Sequence, residues 1–221
     1  MSRSILTRDP VKTAMNGAAS VLGEDRGRSF AFMLGGPHTG GATESLARRA
    51  AGGLPVTVER SWLRLSELSF PVQTVPETEA AEKRMLDATL EHTDIVVVSP
   101  LYWYSVSAQT KLYLDYWASW MTRPGLDFRA RMGGKTLWAV STFARGEAQD
   151  AQPLVGMLER TAQYLDMTWG GALLCRAHRT GQLAGHDASR YADFFATAPK
   201  DPFLRTKRVG PLRHAEELEA S

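Results

Sequence analysis

Residues 94–120 read DIVVVSPLYWYSVSAQTKLYLDYWASW, and this stretch decides the fold. Ile95, Val96, Val97 and Val98 form an unbroken aliphatic run, which predicts a strand buried on both faces. Ser99-Pro100 ends it. Tyr102, Trp103 and Tyr104 follow in a row, and a helical pattern begins near Ala108. A buried strand, an aromatic loop and a buried helix describe the carboxyl edge of a parallel α/β sheet, where open sheets hold ligands. In the helix, Leu112, Tyr116 and Trp120 share one stripe, and Leu114, Trp117 and Met121 the next. So wide an apolar arc predicts burial against the sheet and against a second subunit.

The same alternation runs outward in both directions. Residues 29–34 (SFAFML) predict the first strand, 35–43 (GGPHTGGAT) a glycine-rich loop, 43–51 a helix closed by Gly52-Gly53, and 56–65 a second strand. Residues 66–76 form a proline-broken connection. Ala81, Met85 and Ala88, flanked by Leu86 and Leu90, give the next helix over 78–91. Beyond the opening stretch, 122–134 reads as a loop, 135–141 as the fourth strand and 142–150 as a loop. Leu154, Leu158, Ala162 and Leu165 mark a fourth helix, 168–176 the fifth strand and 187–198 the last helix. The order βαβαβαβαβα predicts a five-stranded parallel sheet with helices on both faces and right-handed crossovers; the doubly wound order expected for it is 2-1-3-4-5. Residues 1–28 read as an N-terminal extension, 29–198 as the domain and 199–221 as a C-terminal tail.

Composition narrows the function classes. The 221 residues carry 26 basic and 24 acidic side chains, a formal charge of +2. Nucleic-acid binding would call for a clustered basic face with stacking aromatics, which this chain lacks. The lone Cys175 excludes an internal disulfide and fits a reducing compartment. No apolar run approaches the ~20 residues that span a bilayer, and no secretory h-region opens the chain, so a cytoplasmic location with no membrane partner is expected. His178, His186 and His214 show no mutual metal-ligand spacing, and no metal site is expected. His92, before the third strand, reads as an exposed helix end.

Three loops follow strands one, three and four. In the first, backbone N–H groups and the helix amino terminus suit a phosphate, with Thr39 and Thr43 as hydroxyl donors. A plain tight turn is the competing reading. A Walker A loop would need Lys-Ser/Thr where Gly41-Ala42 follow Gly40, and the dinucleotide fingerprint would need glycine where His38 stands. In the second, Tyr102–Tyr104 either face a flat heteroaromatic ligand or pack on helices or a subunit interface. In the third, Phe143 could flank a ring and Arg145 reach an anion. In this strand order the first two loops flank the switch point, where a crevice opens.

On these residues the chain resembles the flavodoxin-like NAD(P)H-dependent FMN reductase and quinone reductase superfamily. GGPHTGGAT stands where that family has Gly-Ser-x-Arg-x-x-Gly-Asn-Thr. PLYWYSVSAQTKLYLDYW is similar to its Pro-x-Tyr-Trp, small-residue run, Leu-Lys and helical aspartate, with Lys111 and Asp115 at the expected spacing. GGKTLWAVST and WLRLSEL are similar to its fourth and second strands. The resemblance implies an FMN-dependent oxidoreductase. It would pass hydride from NADPH or NADH to a small-molecule acceptor: a quinone, an azo or nitro compound, or free flavin. A flavodoxin-type electron carrier and a reductase that hands reduced FMN to a monooxygenase are the alternatives.

The resemblance further implies FMN rather than FAD. Gly36, His38, Thr39, Gly41, Ala42 and Thr43 would hold its phosphate. Pro100, Leu101, Tyr102, Trp103 and Tyr104 would hold the ring, and Thr142, Phe143, Arg145 and Gly146 its pyrimidine edge. It implies a homodimer too. No side-chain acid or base is implied; Lys111 and Asp115 read as an i,i+4 pair. Gly36, His38 and Ala42 replace serine, arginine and asparagine, so the phosphate side has lost donors and charge.

Overall fold

The computed structural model describes residues 27–68, 76–177, 183 and 191–196. The expected tail, most of the N-terminal extension, and His178, His186 and His214 lie outside the described residues. Five strands, β1 (Ser29–Leu34), β2 (Glu59–Arg64), β3 (Asp94–Val98), β4 (Thr136–Phe143) and β5 (Thr168–Arg176), pair in parallel in the order β2-β1-β3-β4-β5. The helices are α1 (Ala42–Ala51), α2 (Pro76–Glu91), α3 (Ala108–Met121), α4 (Phe128–Met132) and α5 (Gln152–Tyr164). This is the predicted doubly wound fold.

All five residues of β3 are buried, as an aliphatic strand at the centre of the sheet must be. One face packs Ile95 and Val97 against Met85 of α2, Tyr113 and Trp117 of α3 and Leu158 of α5. The other packs Val96 and Val98 against Leu46 and Ala50 of α1, and against Phe195. Right-handed crossovers thus leave α1 on one side and α2, α3 and α5 on the other.

Several expectations are corrected. In α3 the buried stripe is Tyr113, Trp117 and Trp120, while Leu112 is exposed. The Tyr113 hydroxyl shares a 2.7 Å hydrogen bond with Thr89 Oγ1, so the polar tip of an otherwise apolar ring is satisfied inside the core. The 122–134 connection contains the short helix α4, formed because Phe128 and Met132 both reach the core under Trp117 and Trp120. His92 is buried: its ring bonds the Ala88 carbonyl (Nδ1, 2.9 Å) and Ser61 Oγ (Nε2, 2.8 Å) and so closes α2. The described part of the expected last helix, 191–196, forms turns with an i→i+3 bond from Phe194 N–H to the Tyr191 carbonyl. Tertiary packing overrides helical spacing there. Phe195 is fully buried edge-on to Phe30, Phe32 and Trp138, and its carbonyl accepts from Arg28 Nη1 at 2.9 Å.

The amino ends of the strands are closed by one carboxylate. Asp94, at the start of β3, accepts from Arg28 Nη2 (2.7 Å), Thr93 Oγ1 (2.8 Å) and Trp138 Nε1 (2.8 Å). A buried charge is tolerated when it is paired and hydrogen-bonded in this way. Arg28 is thereby tied to the start of β3 and to Phe195. Trp138 also explains a bulge: the register between β4 and β5 shifts at Leu137/Trp138, and Gly170 is the extra residue. A Cβ on Gly170 would lie 2.3 Å from the Trp138 ring. Substitution G170A is expected to lower stability by about 1–3 kcal/mol, the usual cost of overpacking, seen as a lower urea midpoint with an unchanged m-value.

Candidate functional site

The site is built at the carboxyl edge of β1, β3 and β4. The first loop leaves β1 at Gly35, whose N–H donates to the Val98 carbonyl at 2.8 Å. A Cβ on Gly35 would lie 1.8 Å from Thr110 Oγ1 at the start of α3, so only glycine fits this close approach. Ser107 caps α3, accepting from Thr110 N–H at 3.2 Å, and its hydroxyl donates to the Gly35 carbonyl at 2.6 Å. Ser107 N–H in turn donates to Ser99 Oγ at 2.8 Å. Two serines thus pin both ends of the second loop, and one of them pins the first loop to the second.

The second loop carries the aromatics. Leu101 N–H donates to the Thr142 carbonyl at 2.9 Å. Tyr102 and Ser105 exchange N–H···O bonds of 2.9 and 3.0 Å, closing a two-residue turn. Its central residues, Trp103 (φ 50°) and Tyr104 (φ 64°), are both left-handed. That conformation usually belongs to glycine or asparagine and costs about 1–2 kcal/mol per residue here. It turns the indole of Trp103 outward, 93% exposed, with Tyr102 and Tyr104 also exposed. The turn thus holds a large apolar ring at the surface instead of packing it into the core.

The third loop starts later than expected. β4 continues through Phe143, so Thr142 and Phe143 are buried strand residues. Thr142 Oγ1 shares a 2.5 Å hydrogen bond with Thr43 Oγ1 in the first turn of α1, joining the first loop to the third. Phe143 is buried at the strand end, while Arg145 and Gly146 are exposed on the loop beyond it. Lys111 and Asp115 form the expected i,i+4 ion pair on the exposed face of α3.

Between the loops lies a cavity of about 410 Å³. Of the expected site residues, Gly36, His38, Gly41, Ala42, Thr43, Pro100, Tyr102 and Thr142 line it. Thr39, Leu101, Trp103, Tyr104, Phe143, Arg145 and Gly146 do not. At one end, α1 begins with Gly41 as its cap, with no side-chain hydrogen bond. The first N–H groups of α1 therefore carry no internal partner, the condition for anion binding at a helix amino terminus.

Seven lining residues escaped the sequence reading, and two of them, Glu44 and Arg64, are charged. Glu44 is buried in the first turn of α1. It accepts from Gly40 N–H (2.9 Å), Arg48 Nε (2.9 Å) and Arg64 Nη2 (2.7 Å). Burial alone would raise its pKa, but the hydrogen bonds from Arg64, Gly40 and Arg48 outweigh burial and lower it from 4.5 to about 2. Arg64 ends β2, at the same sheet edge as the loops. Its place at a carboxyl strand end was the available signal; the contact with Glu44, twenty residues earlier, has no sequence period.

A family model described as a flavodoxin-like fold matches residues 36–193. The chain belongs to this family. As a member, it is 23% identical over 165 residues to a Bacillus subtilis (strain 168) protein assigned by name as an NAD(P)H-dependent FMN-containing oxidoreductase, YwqN. That match covers 70% of this chain and 88% of the relative. Among solved structures, the Trp repressor binding protein from Bacillus subtilis superposes with a TM-score of 0.58 at 20% identity, covering 75% of this chain and 96% of the other. An azoreductase from Bacillus anthracis str. Sterne gives 0.52 at 14% identity, covering 76% and 98%. These superpositions establish the shared fold.

The Glu44 network carries a pH signature. A carboxylate with a depressed folded-state pKa contributes stability above its unfolded value near 4.5, and that contribution is lost as pH falls toward about 2. Urea midpoints of the natural chain and of E44Q are expected to differ most above pH 5 and to converge as the pH drops toward 3. A pH-independent offset would contradict the assignment.

Proposed function

We propose that this chain is an FMN-dependent NAD(P)H oxidoreductase acting on a small-molecule electron acceptor. The observation that carries the reading is the cavity itself: about 410 Å³, with an uncapped helix amino terminus on one side and Tyr102, the first residue of the aromatic turn, among its lining. The name of the Bacillus subtilis relative supports the same cofactor and reductant. The volume falls in the range of small-molecule sites.

The residues present fit flavin mononucleotide. The N–H groups of Ala42, Thr43 and Glu44 would receive the phosphate, with Thr43 Oγ1 beside it. Leu34, Val98 and Pro100 give an apolar wall that would exclude water, and Tyr102 forms the flank. In the second loop the N–H groups of Leu101 and Tyr102 are engaged within the fold. Those of Trp103 and Tyr104 are left to hydrogen-bond the polar edge of the ring. FMN, when bound, supplies hydride acceptance from a reduced nicotinamide and electron delivery to the acceptor. The protein's part is then orientation and desolvation, so no side chain is assigned as acid or base. Arg145 and Gly146, exposed on the third loop, would close the pyrimidine edge of the flavin, and Arg145 would favour a phosphate-bearing nicotinamide. The exposed Trp103, Tyr104 and Leu112 form the apolar surface on which a second copy would complete the site as a homodimer. Quinones, azo or nitro compounds and free flavin all suit an acceptor site open to solvent.

The purified chain is expected to take up FMN with a flavin absorption band, and the band to bleach on anaerobic addition of NADPH or NADH. A chain that takes up no FMN, or whose bound FMN neither nucleotide bleaches, would refute the proposal. Light scattering is expected to report a dimer, and W103A to weaken FMN retention without lowering the urea midpoint.

A further inference from the structure

The first loop, GGPHTGGAT over 35–43, carries no arginine or lysine, yet its surroundings are not short of charge. We infer that Arg64, brought from the end of β2, is the phosphate-recognising cation of this site, and that Glu44 is the residue that positions it. The inference rests on the flavin reading above and concerns which part of the flavin Arg64 selects.

Arg64 lines the cavity together with Gly36, His38, Gly41 and Thr43. Its side chain is only 11% exposed, so its charge is poorly screened by water. Nη1 donates to the His38 carbonyl at 3.3 Å, Nη2 to Glu44 Oε2 at 2.7 Å, and Nε lies 3.2 Å from Glu67 Oε1. A guanidinium carries five donors. These contacts engage one on each nitrogen, and a second N–H on each terminal nitrogen is left for a ligand.

The unspent donors separate this role from simple bracing. Glu44 is already neutralised by Arg48 one helical turn on, which touches Oε1 with both Nε (2.9 Å) and Nη2 (2.7 Å). Its other oxygen already holds Gly40 N–H at 2.9 Å. Counted together, Arg48 and Arg64 balance Glu44 and Glu67, and Arg48 and Glu67 are both largely solvated. Arg64 is the buried cation of the set, and its unspent N–H groups face the same cavity as the open N–H groups of α1. A buried guanidinium with free donors beside uncapped backbone donors suits an anionic group. A phosphate monoester meets that need; the uncharged ribityl end of riboflavin does not.

Glu44 sets the geometry. By holding Gly40 N–H and Arg64 on the same oxygen, Oε2, it fixes the loop and the cation relative to each other. Arg64 also holds the His38 carbonyl, so the cation is tied to the backbone of the first loop itself.

The test is flavin affinity rather than turnover. Dissociation constants for FMN and for riboflavin are measured on the full chain by quenching of flavin fluorescence, for the natural protein, R64Q and R64K. The natural chain is expected to prefer FMN. R64Q should weaken FMN at least about ten-fold, as loss of a charge-assisted hydrogen bond does, and leave riboflavin within about two-fold. The steepness with which salt weakens FMN should fall as well. R64K, which keeps the charge and loses the fork, should weaken FMN less than R64Q, again sparing riboflavin. An equal loss for both flavins, or no loss for FMN, overturns the inference and leaves Arg64 a structural brace. If R64Q does not fold, R64K decides by the same comparison. A natural chain that binds both flavins equally overturns the role of Arg64 while leaving the flavin reading intact. A natural chain that binds neither refutes the flavin reading itself.

Discussion

The hydrogen bond from Ser107 Oγ to the Gly35 carbonyl, 2.6 Å long, holds the functional edge of this molecule together. It joins the loop after β1 to the cap of the helix after β3, across the point where the connections leave the sheet in opposite directions. It needs Gly35, because any side chain there would collide with Thr110. It needs Ser107 in two roles, as cap and as donor. With these in place the two loops cannot drift apart, and the crevice between them has fixed walls.

That fixed edge makes the local strain intelligible. Trp103 and Tyr104 sit in left-handed conformations that their side chains disfavour. The turn survives because its neighbours over-determine it: Leu101 is bonded to β4, Ser105 to Tyr102, and Ser107 to Ser99. A loop anchored at both ends can hold an unfavourable turn between them, and so present aromatic rings to a ligand or a partner instead of burying them. The opposite end of the cavity follows the same logic in electrostatic form. Glu44 is a buried carboxylate that is stable only because two arginines and a backbone N–H converge on it.

Much of this was legible in the chain. The run from Ile95 to Val98 is too apolar for anything but a central strand. The alternation around it leaves few topologies besides order 2-1-3-4-5, which is the order observed. Eight of the expected site residues do line one cavity, because loops after strands one, three and four must meet at one edge. The misreadings have local causes. Thr142 and Phe143 are in β4 because β5 keeps pairing as far as Arg176, and pairing length is a property of two strands together. His92 is buried because Ser61, on a strand thirty-one residues earlier, offers its ring a partner. The 191–196 segment abandons helical spacing because Phe195 finds a pocket among Phe30, Phe32 and Trp138.

The sequence by itself determined the alternation of five strands with helices, the sheet edge on which the loops meet and the aromatic character of the second loop. Hydrophobic periodicity and chain connectivity act locally and in order, so they can be read along a line. Only the tertiary structure decided that Trp103 faces outward on a strained turn, and that Arg64 and Glu44 stand under the first loop. Those facts depend on distances between residues far apart in the chain. A hydrogen bond or an ion pair forms only when folding has brought its two ends within about 3 Å, and no spacing along the sequence records that.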